Sequence, residues 1–418
     1  MITTQILQGM KREPLANANA GLQKLGNAPV AALVDRLIEE AAAARASDIH
    51  IEPQTKVLRI RLRIDGNLCE RHELPLAVHV FLVSRIKIMS ALDITEKRIP
   101  QDGRFFYLYG ERRIDIRVST MPVMAGEKIV LRLLNAAERL LRIDELGFSM
   151  QNKQLFRELC HRPHGMVINS GPVNSGKTTT LYAALHELND VSKNIVTLED
   201  PIEYSLEGIN QIQVSAKGKL TFPLGLRSVL RQDPNIIMIG EIRDTETAEI
   251  AVRAALTGHL VFTTLHTNGA IGCISRLLDM GIEPYLLAAA LQGVLAQRLV
   301  RRICTSCREE YIVRPGSLEA YFLGENYHLG QKLLHGRGCP ACNGSGYKGR
   351  IPIHEVLFLD DEFRLALQEK RDILQLKELA GTSLTSMKMD GKEKILAGYT
   401  TIAEVVSAID DDDKSKRS

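Results

Sequence analysis

The sequence predicts an α/β protein: a parallel sheet wrapped by helices, with a smaller α+β domain before it. Three observations carry this. Apolar strands at 166–170, 195–198, 235–239 and 260–264 alternate with helical segments, the signature of a parallel sheet with crossover helices. The run Gly171-Pro172-Val173-Asn174-Ser175-Gly176-Lys177-Thr178 fits G-x4-G-K-[ST] and lies between a buried strand and the helical stretch from Thr179 to Leu188. Residues 57–65 alternate strictly, Leu58, Ile60, Leu62 and Ile64 against Arg59, Arg61 and Arg63, as a half-buried strand does.

The elements follow in order. Residues 1–27 are polar and without sustained period, and read as a loose leader. The α+β domain spans 28–134. Val30, Leu33, Val34, Leu37 and Ile38 form a helical face, and Ser47-Asp48 ends that helix. The alternating strand reaches a hairpin turn at Asp65-Gly66, a helix covers about Val80 to Ala91, Gln101-Asp102-Gly103-Arg104 reads as another turn, and 114–118 is a strand. Residues 135–150 read as a linker and 151–299 as the nucleotide-binding core. The core's most apolar helix, near Tyr285 to Val300, is interrupted by Gln292, Gln297 and Arg298. A cysteine segment spans 300–350, a helical region 351–409, and a charged tail 410–418.

Composition sets the class. The chain has 418 residues, 45% hydrophobic and 25% charged, as in a water-soluble globular protein. A net charge of +3 and 5% aromatics do not argue for nucleic acid, and none is expected as a direct partner. No apolar run approaches the ~18 residues of a membrane span. Nor does the N-terminus show a basic start followed by an apolar core, so a cytosolic location is expected. Of seven cysteines, Cys69, Cys160 and Cys273 are scattered, while Cys304/Cys307 and Cys339/Cys342 form two C-x2-C pairs. In a reducing compartment that spacing favours a closed, structural Zn²⁺ site over disulfides.

The chemistry begins at the phosphate loop. Its glycines let successive backbone N–H groups turn toward a phosphate, and the helix N-terminus that follows adds positive potential. Lys177 suits the β/γ-phosphates of ATP, Thr178 suits Mg²⁺, and Thr179 completes the nucleotide-binding run. The apolar strand 235–239 ends in Gly240-Glu241 about 60 residues later, the form of a Walker B element. Glu199, Asp200 and Glu203 crowd the end of another strand, an arrangement that raises carboxyl pKa values and suits a general base. His266 follows the strand 260–264 at its carboxyl end, and His259 precedes it.

These elements, in this order, resemble the Walker A, Asp, Walker B and His boxes of the secretion-ATPase superfamily. The resemblance is closest to the type II secretion and type IV pilus assembly ATPases (the GspE/PilB family). Ala46 to Pro53, Leu62 to Gly66, Pro100 to Arg104, Asp115 to Ser119, Gly126 to Leu134, Met387 to Gly391 and Gly398 to Val405 resemble further family signatures, so the likeness spans roughly 30–408. It implies a RecA-like P-loop core behind a small PAS-like domain. It also implies Glu203 as the base that activates water, Glu241 acting through Mg²⁺, and His266 sensing the γ-phosphate. Arginines of the first domain are implied to reach ATP, some across a subunit boundary, with Arg104 and Arg117 foremost and Arg98, Arg113 and Arg132 behind them. The implied protein is a hexameric motor, cytoplasmic and peripheral at the inner membrane. It would act with an inner-membrane platform protein and cytoplasmic assembly proteins to build pilin or pseudopilin fibres. The tetracysteine is implied to mark assembly and secretion members, which retraction members generally do not share. Longer members carry a further N-terminal domain that docks on an inner-membrane partner, so the short stretch before residue 30 leaves recruitment open. A DNA-uptake or conjugation-associated ATPase of the same superfamily is the alternative reading, and a non-hydrolysing nucleotide-dependent scaffold is a third.

Overall fold

A computed structural model describes residues 27–135, 140–215 and 218–414. Of the leader, only Asn27 lies within the described residues. So does the tail up to Lys414, where it continues the helix Ile402–Lys414. The chain divides into two compact units, Met1–Arg139 and Leu140–Ser418.

The first unit is a six-stranded antiparallel sheet in the order β3-β2-β1-β6-β5-β4. The strands are β1 (Ala46–Pro53), β2 (Val57–Ile64), β3 (Asn67–Pro75), β4 (Gln101–Tyr109), β5 (Arg112–Val123) and β6 (Gly126–Asn135). The helices Asn27–Ala43 and His79–Met89 bring Val34, Leu37, Ile38, Leu82 and Ile86 into one core with Ile49, Ile51, Leu58, Ile60, Leu62 and Ile116. Alternation in β2 therefore sorts its side chains as the sequence suggests.

Two readings are corrected here. Ser47 and Asp48 do not end the helix; they lie in β1, after Arg45 in a left-handed turn (φ 55°). Residues 101–104 are not a turn but the start of β4. Gly103 serves close packing there: a Cβ at this position would sit 2.6 Å from the Ser90 carbonyl oxygen.

The second unit is built on an eight-stranded sheet in the order β16-β15-β12-β7-β11-β10-β8-β9. Its strands are β7 (Gly165–Ser170), β8 (Ile195–Glu199), β9 (Asn210–Gln213), β10 (Ile236–Ile239), β11 (Leu260–Leu265), β12 (Leu291–Ile303), β15 (Tyr347–Phe358) and β16 (Leu384–Thr385). From β9 to β12 neighbours run parallel, and β15 and β16 add antiparallel pairs at one edge. A separate hairpin, β13 (Arg308–Ile312) with β14 (Lys332–Gly336), stands within the cysteine segment.

Three sequence expectations change in this unit. The apolar helix near Tyr285 to Val300 is a short helix, Pro284–Ala290, followed by the long strand β12. β12 lies between β7 and β15 and is covered on both faces, so its apolar run loses the period that separates strand from buried helix. The region after 350 is not wholly helical, since β15 runs through it to Phe358. Residues 136–139 lie outside the described residues, but Ile143 and Leu146 are buried in the second unit's core, with Leu140, Leu141 and Phe148 packed against it. That half of the expected linker is part of the second unit.

The C-terminal helices are stitched to this sheet by Asp390. Its carboxylate is fully buried, accepts the backbone N–H of His354 at 2.8 Å and the Asn152 amide at 3.3 Å, and pairs with Lys394. A buried carboxylate with these partners has its desolvation offset locally.

Candidate active site and cysteine site

Parallel strands present their carboxyl ends on one edge, where ligands of such sheets bind. The four sequence elements all leave from that edge: the phosphate loop after β7, the acidic segment after β8, Glu241 after β10 and His266 after β11. β11 pairs with both β7 and β10, so the elements it carries and flanks are brought side by side. Thr264 Oγ1 donates to the Gly240 carbonyl at 2.6 Å, and the Ile242 N–H donates to Thr264 O at 3.1 Å. These bonds lock the Glu241 turn against the end of β11.

The loop closes through Gly176, whose φ of 89° is left-handed and favours glycine. The helix Lys177–Leu188 starts immediately after it. Lys177 folds back over its own loop, donating to Gly171 O at 2.8 Å and Pro172 O at 2.9 Å. Burial lowers its ammonium to about 8, against the pull of the Glu241 carboxylate. His266 Nε2 lies 3.3 Å from Glu241 Oε2. Burial, and then the Lys177 charge, lower the imidazole, with Glu241 opposing, so the ring is neutral near pH 7. Pro172, Val173 and Asn174 are exposed at the loop's crest, and Thr178 and Thr179 are half-buried at the first turn of the helix.

The acids after β8 separate into two kinds. Glu199 is buried. It accepts from Thr197 Oγ1 at 2.5 Å and Gln211 Nε2 at 3.1 Å, and the Tyr182 hydroxyl makes a short bond to its other oxygen. It is held in place by those donors. Glu203 is exposed on the loop that follows, and Asp200 faces Arg243 at 3.9 Å. Exposure leaves Glu203 able to reach water, which Glu199 is not.

Sequence reasoning passed over Arg243, Gln297 and Asn169. Arg243 Nη2 meets Glu241 Oε1 at 2.5 Å; its signal was its position two residues after the strand-end acid. Gln297 donates to Ser175 O within the loop, and Asn169 donates to Lys177 O at its end. Their signal was polarity inside apolar runs, the same interruption noted at Gln297 from the sequence.

Arg104 and Arg117 lie in the first unit, directly paired across β4 and β5, and Arg117 pairs with Arg132 across β5 and β6. The row continues through Asp48, whose Oδ1 meets Arg132 Nε at 3.1 Å, to Arg63 at 3.7 Å. Among the described residues no carboxylate pairs with Arg104 or Arg117. Arg98 pairs with Glu96, and Arg113 lies 3.6 Å over the Phe106 ring. Arg59 and Arg61 are both taken up by Glu52. Burial opposes ionisation of Glu52, but Arg61 and Lys128 hold its carboxyl down at about 2.

Cys304, Cys307, Cys339 and Cys342 converge with all four sulfurs within 4.8 Å of one another. Individual Sγ–Sγ separations are 3.7 Å (Cys339–Cys342), 3.9 Å (Cys304–Cys339) and 3.9 Å (Cys307–Cys342). Four sulfurs at ~2.3 Å from one tetrahedral Zn²⁺ would stand about 3.8 Å apart, so the set fits that ion. Backbone N–H groups of Cys339 and Gly346 point at Cys342 Sγ, at 3.1 and 3.3 Å. Burial works against ionisation, yet those donors lower the Cys342 thiol, while burial pushes Cys307 up. A divalent ion at the centre would hold all four as thiolates.

Residues 23–407 match the family described as type II/IV secretion system protein. Type II secretion system protein E of Dickeya dadantii is 49% identical over 94% of this chain and 78% of its own length. Type II secretion system ATPase E of Vibrio cholerae is 46% identical over 92% of this chain and 76% of its own. Among solved structures, the pilus retraction motor PilT with bound ADP is 27% identical, with a TM-score of 0.60 over 92% of this chain and 99% of that one. The ATPase DotB of Legionella pneumophila is similar in fold alone, at 22% identity and a TM-score of 0.67 over 96% and 98%.

Proposed function

The chain belongs to the type II/IV secretion system protein family and is an ATPase of the type II secretion kind; from that premise we propose that it is the motor that drives assembly of pseudopilin or pilin fibres. It acts as a hexameric ring at the cytoplasmic face of the inner membrane, with an inner-membrane platform protein and its cytoplasmic assembly proteins as partners. No helix among the described residues is long and apolar enough to cross a membrane.

The observation that carries the catalytic part is the contact chain at the sheet's carboxyl edge, in which His266 meets Glu241 beside the buried ammonium of Lys177. In the reaction, Lys177 leaves its two loop carbonyls for the β/γ-phosphates of ATP, which offer an ammonium stronger, charged acceptors. Glu203 takes the proton of the attacking water. The neutral His266 has a single N–H, which faces Glu241 without nucleotide; turning it to the γ-phosphate makes the residue sensitive to whether that phosphate is present. Thr178 and Glu241 offer a hydroxyl and a carboxylate, the hard oxygen donors that suit Mg²⁺, which would neutralise charge between the β- and γ-phosphates. Arg104 and Arg117 supply guanidinium charge to the transferring phosphoryl group, an effect of about 10³–10⁵ in rate where such arginines are known. The four cysteines hold Zn²⁺ in a structural role.

Phosphate release from the purified, oligomeric protein tests this. Glu203→Gln should lower kcat about 10²–10⁴-fold, the range for a lost general base, with ADP affinity kept. Absence of turnover in the wild type under oligomerising conditions would sink the motor reading.

A further inference from the structure

We propose that Gln297 is a positioning residue for nucleotide binding, which aims the Gly176 N–H into the phosphate cradle by holding the Ser175 carbonyl. Gln297 sits on β12, 1% exposed, and both ends of its amide are bonded. Nε2 donates to Ser175 O at 2.6 Å. Oε1 accepts from Thr180 Oγ1 at 2.9 Å and from Asn169 Nδ2 at 3.1 Å. Asn169 Nδ2 also donates to Lys177 O at 3.2 Å. One side chain therefore ties the strand before the loop, the last residues of the loop, and the first turn of the helix after it.

The consequence follows from peptide geometry. In a trans peptide unit the C=O and the next N–H point in opposite directions. With Ser175 O drawn toward β12, the Gly176 N–H must point away from β12, to the loop's open side. A phosphate cradle depends on successive N–H groups converging there, and misplacement by about 1 Å at such a site can cost on the order of 10². The loop also lies directly on this strand: a Cβ at Gly171 would be 2.4 Å from the Gln297 carbonyl oxygen, and one at Gly176 would be 3.0 Å from Gln297 Nε2. The position asks for a donor and a two-lone-pair acceptor on one flat group, and a primary amide of this length supplies both. A carboxylate has only acceptors at neutral pH, and an aliphatic side chain has neither.

This proposal rests on the phosphate loop being the nucleotide site, and the test separates the two. Binding of ADP with Mg²⁺ to the full chain is measured by calorimetry at about pH 7.5, where Lys177 is still charged, alongside KM and kcat for ATP. Gln297→Leu removes every bond of the clamp. Gln297→Met keeps the length of the side chain and removes the donor to Ser175 O together with the acceptor. Thr180→Val removes one acceptor bond and leaves the Ser175 contact. Both Gln297 variants should weaken ADP about tenfold and raise KM by a similar factor, with a smaller fall in kcat, as for one lost hydrogen bond at a polar site. Thr180→Val should lower the melting temperature yet leave ADP affinity within about twofold. Wild-type affinity in a folded Gln297→Met overturns the proposal, and so does a Thr180→Val defect as large as that of Gln297→Leu, which would make the network structural only. The Met variant, closer in length to the native side chain, decides the matter if Leu does not fold. Retained ADP binding in Lys177→Ala would instead refute the phosphate-loop site itself.

Discussion

The phosphate loop and the cysteine cluster are both glycine-rich segments that gather ligand atoms, yet they are held in different ways. The cysteine cluster carries its own donors. Its two C-x2-C turns supply the sulfurs, and the N–H groups of Cys339 and Gly346 that steady Cys342 come from the same short segment. The phosphate loop offers backbone N–H groups, and these are aimed from outside. Asn169 precedes the loop, Gln297 comes from a strand 122 residues away in sequence from its partner Ser175, and Glu241 and His266 come from two more strands. A site held by its own side chains shows in local spacing. A site built from backbone depends on distant parts of the fold.

Substitutions can break this contrast. The largest expected effect is Lys177→Ala. It removes the one ammonium at the loop, and phosphate release should fall at least about 10²–10³-fold, the scale for losing a preorganised charge at a reacting oxyanion. The fold should survive, since Lys177 contributes only two bonds to carbonyls of its own loop. Metal removal should do the opposite. Elemental analysis should find about one Zn per chain, and Cys304→Ser or a strong chelator should strip it. Because such a site supplies on the order of 10 kcal/mol to folding its segment, the segment around β13 and β14 should become protease-sensitive. ADP binding should be retained, since β12 reaches Gln297 six residues before it ends at Ile303. Loss of ADP affinity on chelation would show that the two sites are held by a common element and end the contrast.

Legibility followed the same division. Both C-x2-C pairs, the loop and its flanking strand and helix were readable, because each is set by neighbours in the chain. So were β8, β10 and β11, short apolar runs between turn residues. β12 was not. An apolar stretch covered on both faces carries no period of 2, and Gln292, Gln297 and Arg298 looked like breaks in a helix when Gln297 was a support for the loop. β4 was misread for a related reason: Gly103 suggested a turn, but it makes room for the Ser90 carbonyl, a tertiary demand invisible in sequence. The acidic segment shows the limit within a site. Its three acids looked like one cluster, and only packing reveals that Tyr182, Thr197 and Gln211 lock Glu199 and leave Glu203 exposed.

The finest test of the contrast is pH, because the two sites should fail at opposite ends of the scale. Thiolates hold Zn²⁺ only while deprotonated, so acidification should release the metal as protons compete for the sulfurs. The phosphate loop should weaken in alkali. Burial leaves the nucleotide-free Lys177 ammonium at about 8, below its ordinary 10.5, and bound phosphates favour its charged form. Below about pH 8 the lysine is already protonated and affinity is independent of pH on its account. Above that, ATP binding must take up a proton, and KM should climb by at most about tenfold per pH unit until the pKa of the bound state is passed. His266, lowered and already neutral near pH 7, adds nothing on that side. Lys177→Arg supplies the control: a guanidinium stays charged throughout, so whatever activity remains should lose the alkaline rise in KM. A KM flat from pH 7 to about 10 in the wild type would mean that the lysine is not buried as its two carbonyl bonds imply, and that the loop is less dependent on its surroundings than the cysteine cluster makes it look.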